Sequence, residues 1–440
     1  MSEQDSVVEG LLASDPSLFT GDTAQHSLGW LHHPEMYFGT WLDEISEQLP
    51  RRHDKTVLLA MGGSSSPARF FNEFRQSDLV TVLDTSNPDS IAQTSFQDVN
   101  VIAASKSGAT IETSSLLTHA LHNGLSAKDL VVISDPGTSL TKVGESLGAL
   151  TIAGDPQTGG RFSGLSPFGL IPALYAGWSA PELRQQLAAC YLNRDLVERA
   201  CREVQARSSS LQDGMAFFSL HADPINSGSA LWLEQLIAES TGKDQKGFIP
   251  ILDTSEQAVA PGAIQYFHLV AALLARTIGV DPFNQPNVER AKRDVLDLLK
   301  SPVSWDVPQG EISGLHQAMS SASYIALQVF GPLSDADDLI ALRSHVERLY
   351  GPTTANFGPR YLHSTGQLHK GGPAGVVAIQ LVMKPRSKPV KVAGEQYSFH
   401  DIHFAQALSD QRAMQQANRP MWQFIVNDLN EAARILAVEA

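Results

Sequence analysis

The chain has 440 residues, 42% hydrophobic and 18% charged, with a formal net charge of −15 and two cysteines. That length predicts two or three compact units rather than one domain. The acidic balance argues against nucleic acid or an anionic membrane surface as a partner, though a few local cations could still serve a small anionic substrate. Cys190 and Cys201 are too few for a disulfide framework or a zinc cluster, which fits a reducing compartment. The start, "MSEQDSVVEGLLASDPSLF", lacks a basic lead followed by an apolar core, and no apolar run reaches membrane-spanning length. A cytoplasmic location is expected.

Residues 1–54 alternate polar and apolar positions at helical spacing and are expected to form a helical extension that wraps a later core. From Lys55 a pattern repeats. "TVLLAM" runs into "GGSSS", "LVTVLD" into "TSNPDS", "VNVIAA" into "SKSGAT", "LVVIS" into "DPGTS", and "ALTIAG" into "DPQTGG". Short β-rich runs ending in polar turns, most of them followed by helical segments, predict a parallel sheet with crossover helices. In such sheets ligands bind at the carboxyl ends of the strands, where these turns lie. The expected first α/β domain is 55–157, followed by a helical connection over 158–211. Strands are then expected in "MAFFSLHAD", "GFIPILD", "SYIALQVFG" and "VVAIQLVMK", with helices at "SGSALWLEQLIAEST", 264–278 and 286–300. These define a second α/β domain over 212–395 and a helical C-terminal segment over 396–440. The halves resemble each other in architecture, not residue by residue.

Several turns have the makings of a site. "SKSGATIET" gathers Ser105, Ser107 and Thr110 where a strand gives way to a helix, whose first N–H groups lack internal partners and favour an anion. "MGGSSSPARF" adds Gly63 and Ser64 on a neighbouring strand; alone it is equally a tight turn with a serine cap. Neither turn has the dinucleotide or Walker pattern. In "TGGRFSGLS", Gly160 would let backbone approach a ligand beside Arg161, although a lone arginine is more often a solvated group. "WLEQLIAESTGK" places Glu239 at a helix C-terminus, where the dipole opposes negative charge, so the carboxylate either points to solvent or is held for use as a base. "DPFNQPNVERAK" starts a helix on which Gln285 and Lys292, two turns apart, can share a face. "GPRYLHSTGQLHKGGP" concentrates His363, Gln367 and His369 in one glycine-rich loop; their spacing does not suit a metal, and a substrate or subunit contact is expected.

In this order the motifs resemble the phosphoglucose isomerase family, over roughly residues 55 to 410. "GGSS", "SKSGATIET" and "GGRFS" look like its phosphate-loop and arginine motifs, and "ESTGK" like the segment bearing its catalytic glutamate. "PFNQPNVERAK" and "LHSTGQLHKGGP" look most like the isomerase part of transaldolase–phosphoglucose isomerase fusions. The length leaves no room for a transaldolase barrel as well, so the chain resembles that part alone. The resemblance implies two sugar-isomerase domains, each a parallel sheet sandwiched by helices. It also implies glucose 6-phosphate and fructose 6-phosphate as substrates, in glycolysis and gluconeogenesis, with no metal or other cofactor.

Carried over by position, Glu239 becomes the base that moves a proton between C1 and C2 through a cis-enediol. Arg161 opposes the enediolate charge, and Lys292 and Gln285 contact sugar oxygens. Ser64, Ser105, Ser107 and Thr110 bind the phosphate, with Gly63 and Gly160 allowing close approach. The ring-opening histidine normally follows a Gly-Gln pair; here "PGAIQYFHLV" offers His268 without that pair, and His363 and His369 are alternatives. "SKSGATIET" also has Ser-Gly-Ala where the family usually has Thr, an aromatic and Thr. The family further implies a homodimer with a histidine reaching across the interface. Mannose 6-phosphate activity and a non-catalytic sugar-phosphate sensor are the competing readings; keeping Glu239, Arg161 and Lys292 together speaks against the sensor.

Overall fold

The computed structural model describes residues 3–300 and 314–437; the side chains of 288–293, including that of Lys292, lie outside the described residues. The chain is a mixed α/β structure of parallel sheets flanked by helices. Strands β1 (Thr56–Ala60), β2 (Val80–Leu83), β3 (Asn100–Ala104), β4 (Leu130–Ser134) and β5 (Leu150–Ala153) form the first sheet in the order β2-β1-β3-β4-β5, every pair parallel. Alternation along the inner strands explains why their middles are apolar. Leu58, Ile102 and Val131 face one core, which also takes Trp30 and Leu31 of the N-terminal extension. Val57, Leu59, Val101 and Val132 face a second core, closed partly by Phe399 and Ile402 from the far end of the chain. On β1, β3 and β4 both faces are covered and the middle of each strand is apolar, while the edge strands β2 and β5 carry Thr81 and Thr151 in their middles.

In the second half, β6 (Met215–Leu220) and β7 (Gly247–Leu252) pair in parallel as a separate two-stranded unit. β8 (Tyr324–Phe330), β9 (Thr353–Phe357), β10 (Val376–Met383) and β11 (Met421–Val426) form a parallel sheet in the order β11-β10-β8-β9. The C-terminal segment differs from the sequence expectation. Between the helices Phe399–Gln416 and Leu429–Leu436 it contributes the edge strand β11, so it is not helical throughout. The helix Gly228–Thr241 is buried at every position. It packs on the first-half helix Ser66–Arg75 and on the loop helix Gly366–Gly371, so it is the axle between the halves. Among the described residues no helix is long and apolar enough to cross a membrane.

Candidate functional site

The glycines after β1 exist because two turns interlock. A Cβ on Gly63 would lie 2.1 Å from the Gly160 carbonyl oxygen, a separation only glycine can serve. The Ser163 hydroxyl lies 2.6 Å from the Gly160 carbonyl and 3.1 Å from that of Gly63, tying the turns together. Gly62 has φ +54°, and a Cβ there would lie 2.9 Å from the Cβ of His363. The turns after β1 and β5 and the loop bearing His363 therefore meet. Ser64 lies buried in the first of these turns.

Arg161, buried by the same interlock, reaches the C-terminal end of the Gly228–Thr241 helix. Its Nε–H donates to Glu239 Oε2 at 3.0 Å, and Nη1 donates to the Glu239 carbonyl at 3.0 Å and to Pro282 O at 2.7 Å. Nη2 donates to Asn284 O at 3.2 Å. A cation at a helix C-terminus satisfies carbonyls that have no helical partner. Here it also holds the one carboxylate that the dipole would repel. Glu239 is 4% exposed, so the solvent-facing alternative does not apply. Gln235, one turn earlier, donates to Glu239 Oε2 at 3.2 Å and to the His363 carbonyl at 2.8 Å, and accepts from Ser66 Oγ at 2.8 Å.

The turn after β3 carries a hydroxyl pair, Ser105 Oγ to Thr110 Oγ1 at 2.8 Å, just ahead of the helix Ile111–His122. Ser105 is buried and Ser107 exposed. Lys106 is spoken for: its ammonium pairs with Asp135 and donates to Asp155 O at 3.1 Å. In the first turn of that helix stands Glu112, whose Oε1 lies 2.9 Å from His363 Nε2 and accepts from Gln406 Nε2 at 2.7 Å. His363 meets Glu112 within one chain. Its loop is anchored by Arg360, which donates to both oxygens of Asp84 at 2.8 and 3.0 Å, as Arg69 does at 2.6 and 3.0 Å. Complete burial would raise the Asp84 carboxyl, but the two guanidiniums outweigh it and hold the group well below the usual carboxylate range.

Gln367 brings the "PFNQPNV" turn to this corner. Its Nε2 donates to Gly242 O at 2.9 Å and to Asn287 Oδ1 at 2.8 Å, while Oε1 accepts from the Asn287 amide at 3.1 Å. Gln285 stands at the N-cap position of the following helix without a side-chain capping hydrogen bond and is partly exposed.

The other two candidate histidines lie elsewhere. His268 is fully buried among Trp30, Phe162 and Trp232, at ring-centroid distances of 5.6, 5.4 and 5.7 Å. Neither of its ring nitrogens has a hydrogen-bond partner, and burial first, then His33, keeps its pKa well below the ordinary value. His369 faces the second sheet: Gln328 Nε2 lies 3.0 Å from its Nδ1, and burial pushes its pKa down to about 3. Neither ring is presented to the corner where Glu239 and His363 meet. Glu112 and Gln235 were not singled out from sequence. Gln235 had a readable signal, four residues before Glu239 on one helix face. Glu112, an acid in a first helical turn, reads there as nothing more than a dipole-friendly residue.

No protein-family model matches the chain. Curated relatives named glucose-6-phosphate isomerase do. The one from Campylobacter jejuni is 30% identical over 231 residues, 47% of this chain and 56% of the relative. That from Rubrobacter xylanophilus is 33% identical over 168 residues, 34% of this chain and 38% of the relative. That from Mesoplasma florum is 28% identical over 250 residues, 51% of this chain and 58% of the relative. The chain thus spans about half the length of the curated relatives it matches. A solved glucose-6-phosphate isomerase from Chlamydia trachomatis shares 14% identity, covering 97% of this chain and 71% of its own, with a TM-score of 0.31. The fold is an α/β arrangement of parallel sheets, and its candidate site gathers a carboxylate, a guanidinium and an imidazole at strand and helix ends. In sequence the chain resembles the glucose-6-phosphate isomerases.

Proposed function

We propose that the protein is a glucose-6-phosphate isomerase, interconverting glucose 6-phosphate and fructose 6-phosphate through a cis-enediol. The observation that carries this reading is Glu239, a buried carboxylate at an unfavourable helix end, held on one oxygen by Arg161 and Gln235. Abstracting a proton next to a carbonyl needs a positioned base and a cation opposing the oxyanion. In the open-chain aldose, Glu239 takes the C2 proton while O1 gains one, giving the enediol. It then returns its proton to C1 as the O2 hydroxyl loses its own, leaving the C2 ketone. C1 is reduced as C2 is oxidised, so the balance needs no external oxidant or reductant.

Arg161 opposes the negative charge that develops on the enediolate oxygens. Ser64, Ser105, Ser107 and Thr110 take the phosphate, with Gly63 and Gly160 leaving the backbone accessible, and Lys292 and Gln285 contact sugar oxygens. Ring opening is assigned to His363, because it is the histidine that meets a carboxylate, Glu112, at the site. The protein is further proposed to be a cytoplasmic homodimer in which each chain carries its own Glu239 and His363.

A coupled assay tests the reading, with fructose 6-phosphate as substrate and glucose 6-phosphate detected as product. Turnover is expected in the wild type, and Glu239→Gln should lower kcat by about 10²–10⁴, the share a positioned base supplies, with substrate still bound. Binding without turnover in the wild type would leave a sugar-phosphate sensor. Turnover only with mannose 6-phosphate would move the substrate and keep the chemistry.

A further inference from the structure

The turn that follows β2, "DTSNPDS", has no part in the proposed reaction, yet Asp84, Thr85, Ser86 and Asn87 are all buried. Ser86 turns away from the strand ends toward the helix Phe399–Gln416. Its hydroxyl donates to Gln406 Oε1 at 2.6 Å and lies 2.9 Å from His403 Nδ1. Gln406 in turn donates through Nε2 to Glu112 Oε1 at 2.7 Å, the oxygen that faces His363 Nε2 at 2.9 Å. An unbroken hydrogen-bonded chain therefore runs from His403 through Ser86, Gln406 and Glu112 to His363. All its members before His363 are almost wholly buried: His403 and Ser86 at 0%, Gln406 at 3% and Glu112 at 2% exposure.

The chain has a direction. Ser86 owns one hydroxyl proton, and donating it to Gln406 Oε1 fixes which end of the amide is oxygen. The amide NH₂ cannot accept, so Glu112 Oε1 meets it as an acceptor. The same oxygen faces His363 Nε2 at 2.9 Å, and a carboxylate oxygen accepts and does not donate. While Gln406 holds Oε1 in that place, the hydrogen between them belongs to Nε2. Nδ1 is then the nitrogen left for the sugar: a bare base in the neutral ring, an N–H acid in the charged one.

Resting on the role proposed above for His363, we propose that Gln406, locked in one amide orientation by Ser86, is a positioning residue that holds Glu112 Oε1 on His363 Nε2 and so fixes His363 as its Nε2–H tautomer, leaving Nδ1 to exchange protons with the sugar. Holding an imidazole in its working tautomer is a task with a kinetic consequence, because the wrong tautomer presents a hydrogen where a base is needed.

The test uses the full chain labelled with ¹⁵N-histidine, with His363 assigned by its absence in His363→Asn. Long-range ¹H–¹⁵N correlation should show the neutral His363 ring as the Nε2–H form. Gln406→Leu should give a mixture of tautomers, with kcat for fructose 6-phosphate lowered by roughly tenfold or more and KM nearly unchanged, since the lost group acts on proton transfer and not on binding. If Gln406→Leu does not fold, Ser86→Ala leaves Gln406 in place but frees its amide to flip, and should mix the tautomers to a lesser degree. A folded variant with the Nε2–H signal and kcat both intact would overturn the proposal. The tautomer is read without substrate, so a wild type without isomerase turnover would remove the proposed reaction while leaving the positioning role decided.

Discussion

The two large sheets are built from the same parallel strands and put to different uses. Along the inner strands of the first, β1, β3 and β4, the mid-strand positions are apolar and the polar groups gather at and beyond the strand ends. The second carries a polar row straight across its middle: Gln423, Gln380, Gln328 and Asn356 stand opposite one another on β11, β10, β8 and β9. All four are buried, and residues in register on parallel strands point to the same face. Such a band survives only if its members find partners. Gln380 donates to Tyr361 Oη at 3.1 Å and to Asp410 at 3.3 Å, Gln328 meets His369, and Asn356 donates to Glu234 at 3.1 Å. Asp410 also pairs with Lys370. Tyr361, His369 and Lys370 flank His363 in one loop. The first sheet thus presents backbone and hydroxyls from rigid strand ends, while the second holds the loop of its histidine by side chains from within.

The largest break of that comparison after loss of Glu239 is loss of His363. His363→Asn should lower kcat toward the smaller end of the 10²–10⁴ that an acid–base group contributes, about a hundredfold, because some sugar opens its ring unaided in water. The pairing with Glu112 lies within one chain, so a mixture of His363→Asn with Glu239→Gln, dissociated and reassociated as the proposed homodimer, should show no more activity than the two variants apart. Recovery of activity in such a mixture would mean that the histidine serves the site of a neighbouring chain in the proposed homodimer.

Glu234 sharpens the contrast through stability. It stands at the end of the polar row on the same helix as Glu239, and burial, opposed by the Asn356 hydrogen bond, pushes its pKa up to about 8. An unfolded chain releases that proton near the ordinary carboxylate value of 4.5. Between those values the folded state binds the extra proton, so the cost of keeping Glu234 grows, and stability falls, as pH rises to about 8. Glu234→Gln keeps the shape and the acceptor for Asn356 without the ionisation. It should be more stable than wild type by about 1–3 kcal/mol at pH 8 and little different at pH 5. Urea unfolding at the two pH values measures this; an equal difference at both would show that Glu234 does not titrate as described.

What could be read from the chain follows the same division. The strands β1 to β5 were legible because a doubly covered parallel strand is an unbroken apolar run that stops at a polar turn. β9 and β11 were not: "TTANF" is short and polar, and "MWQFIV" is an edge strand with a glutamine inside, set between two helical stretches. Their polar residues are members of the buried row, a property of the sheet and not of either segment. Arg161 and Glu239 were legible from local context, a glycine-flanked arginine and an acid at the wrong helix end. Glu112 was not, since the partner that gives it meaning is 251 positions away. For the histidines the sequence left three choices, because exposure, ring environment and partner decide the matter and none of these is local.

The smallest expected effect bears on that choice. His268 fills an aromatic cage made by the N-terminal extension, the Arg161 turn and the Gly228–Thr241 helix, and neither nitrogen has a partner there. A buried polar atom without a partner costs stability, whereas an apolar group of the same shape does not. His268→Phe keeps a planar ring of similar volume and removes both orphaned nitrogens. It should leave kcat unchanged and shift stability by less than about 1.5 kcal/mol, possible overpacking of the larger ring set against the relieved desolvation. The measurement is kcat for fructose 6-phosphate beside a thermal unfolding curve. A variant that melts like wild type but turns over as slowly as His363→Asn would give His268 the ring-opening role and leave the Glu112–His363 pair with a structural one. An unchanged kcat would make the cage a packing solution in which an imidazole stands in for a benzene ring.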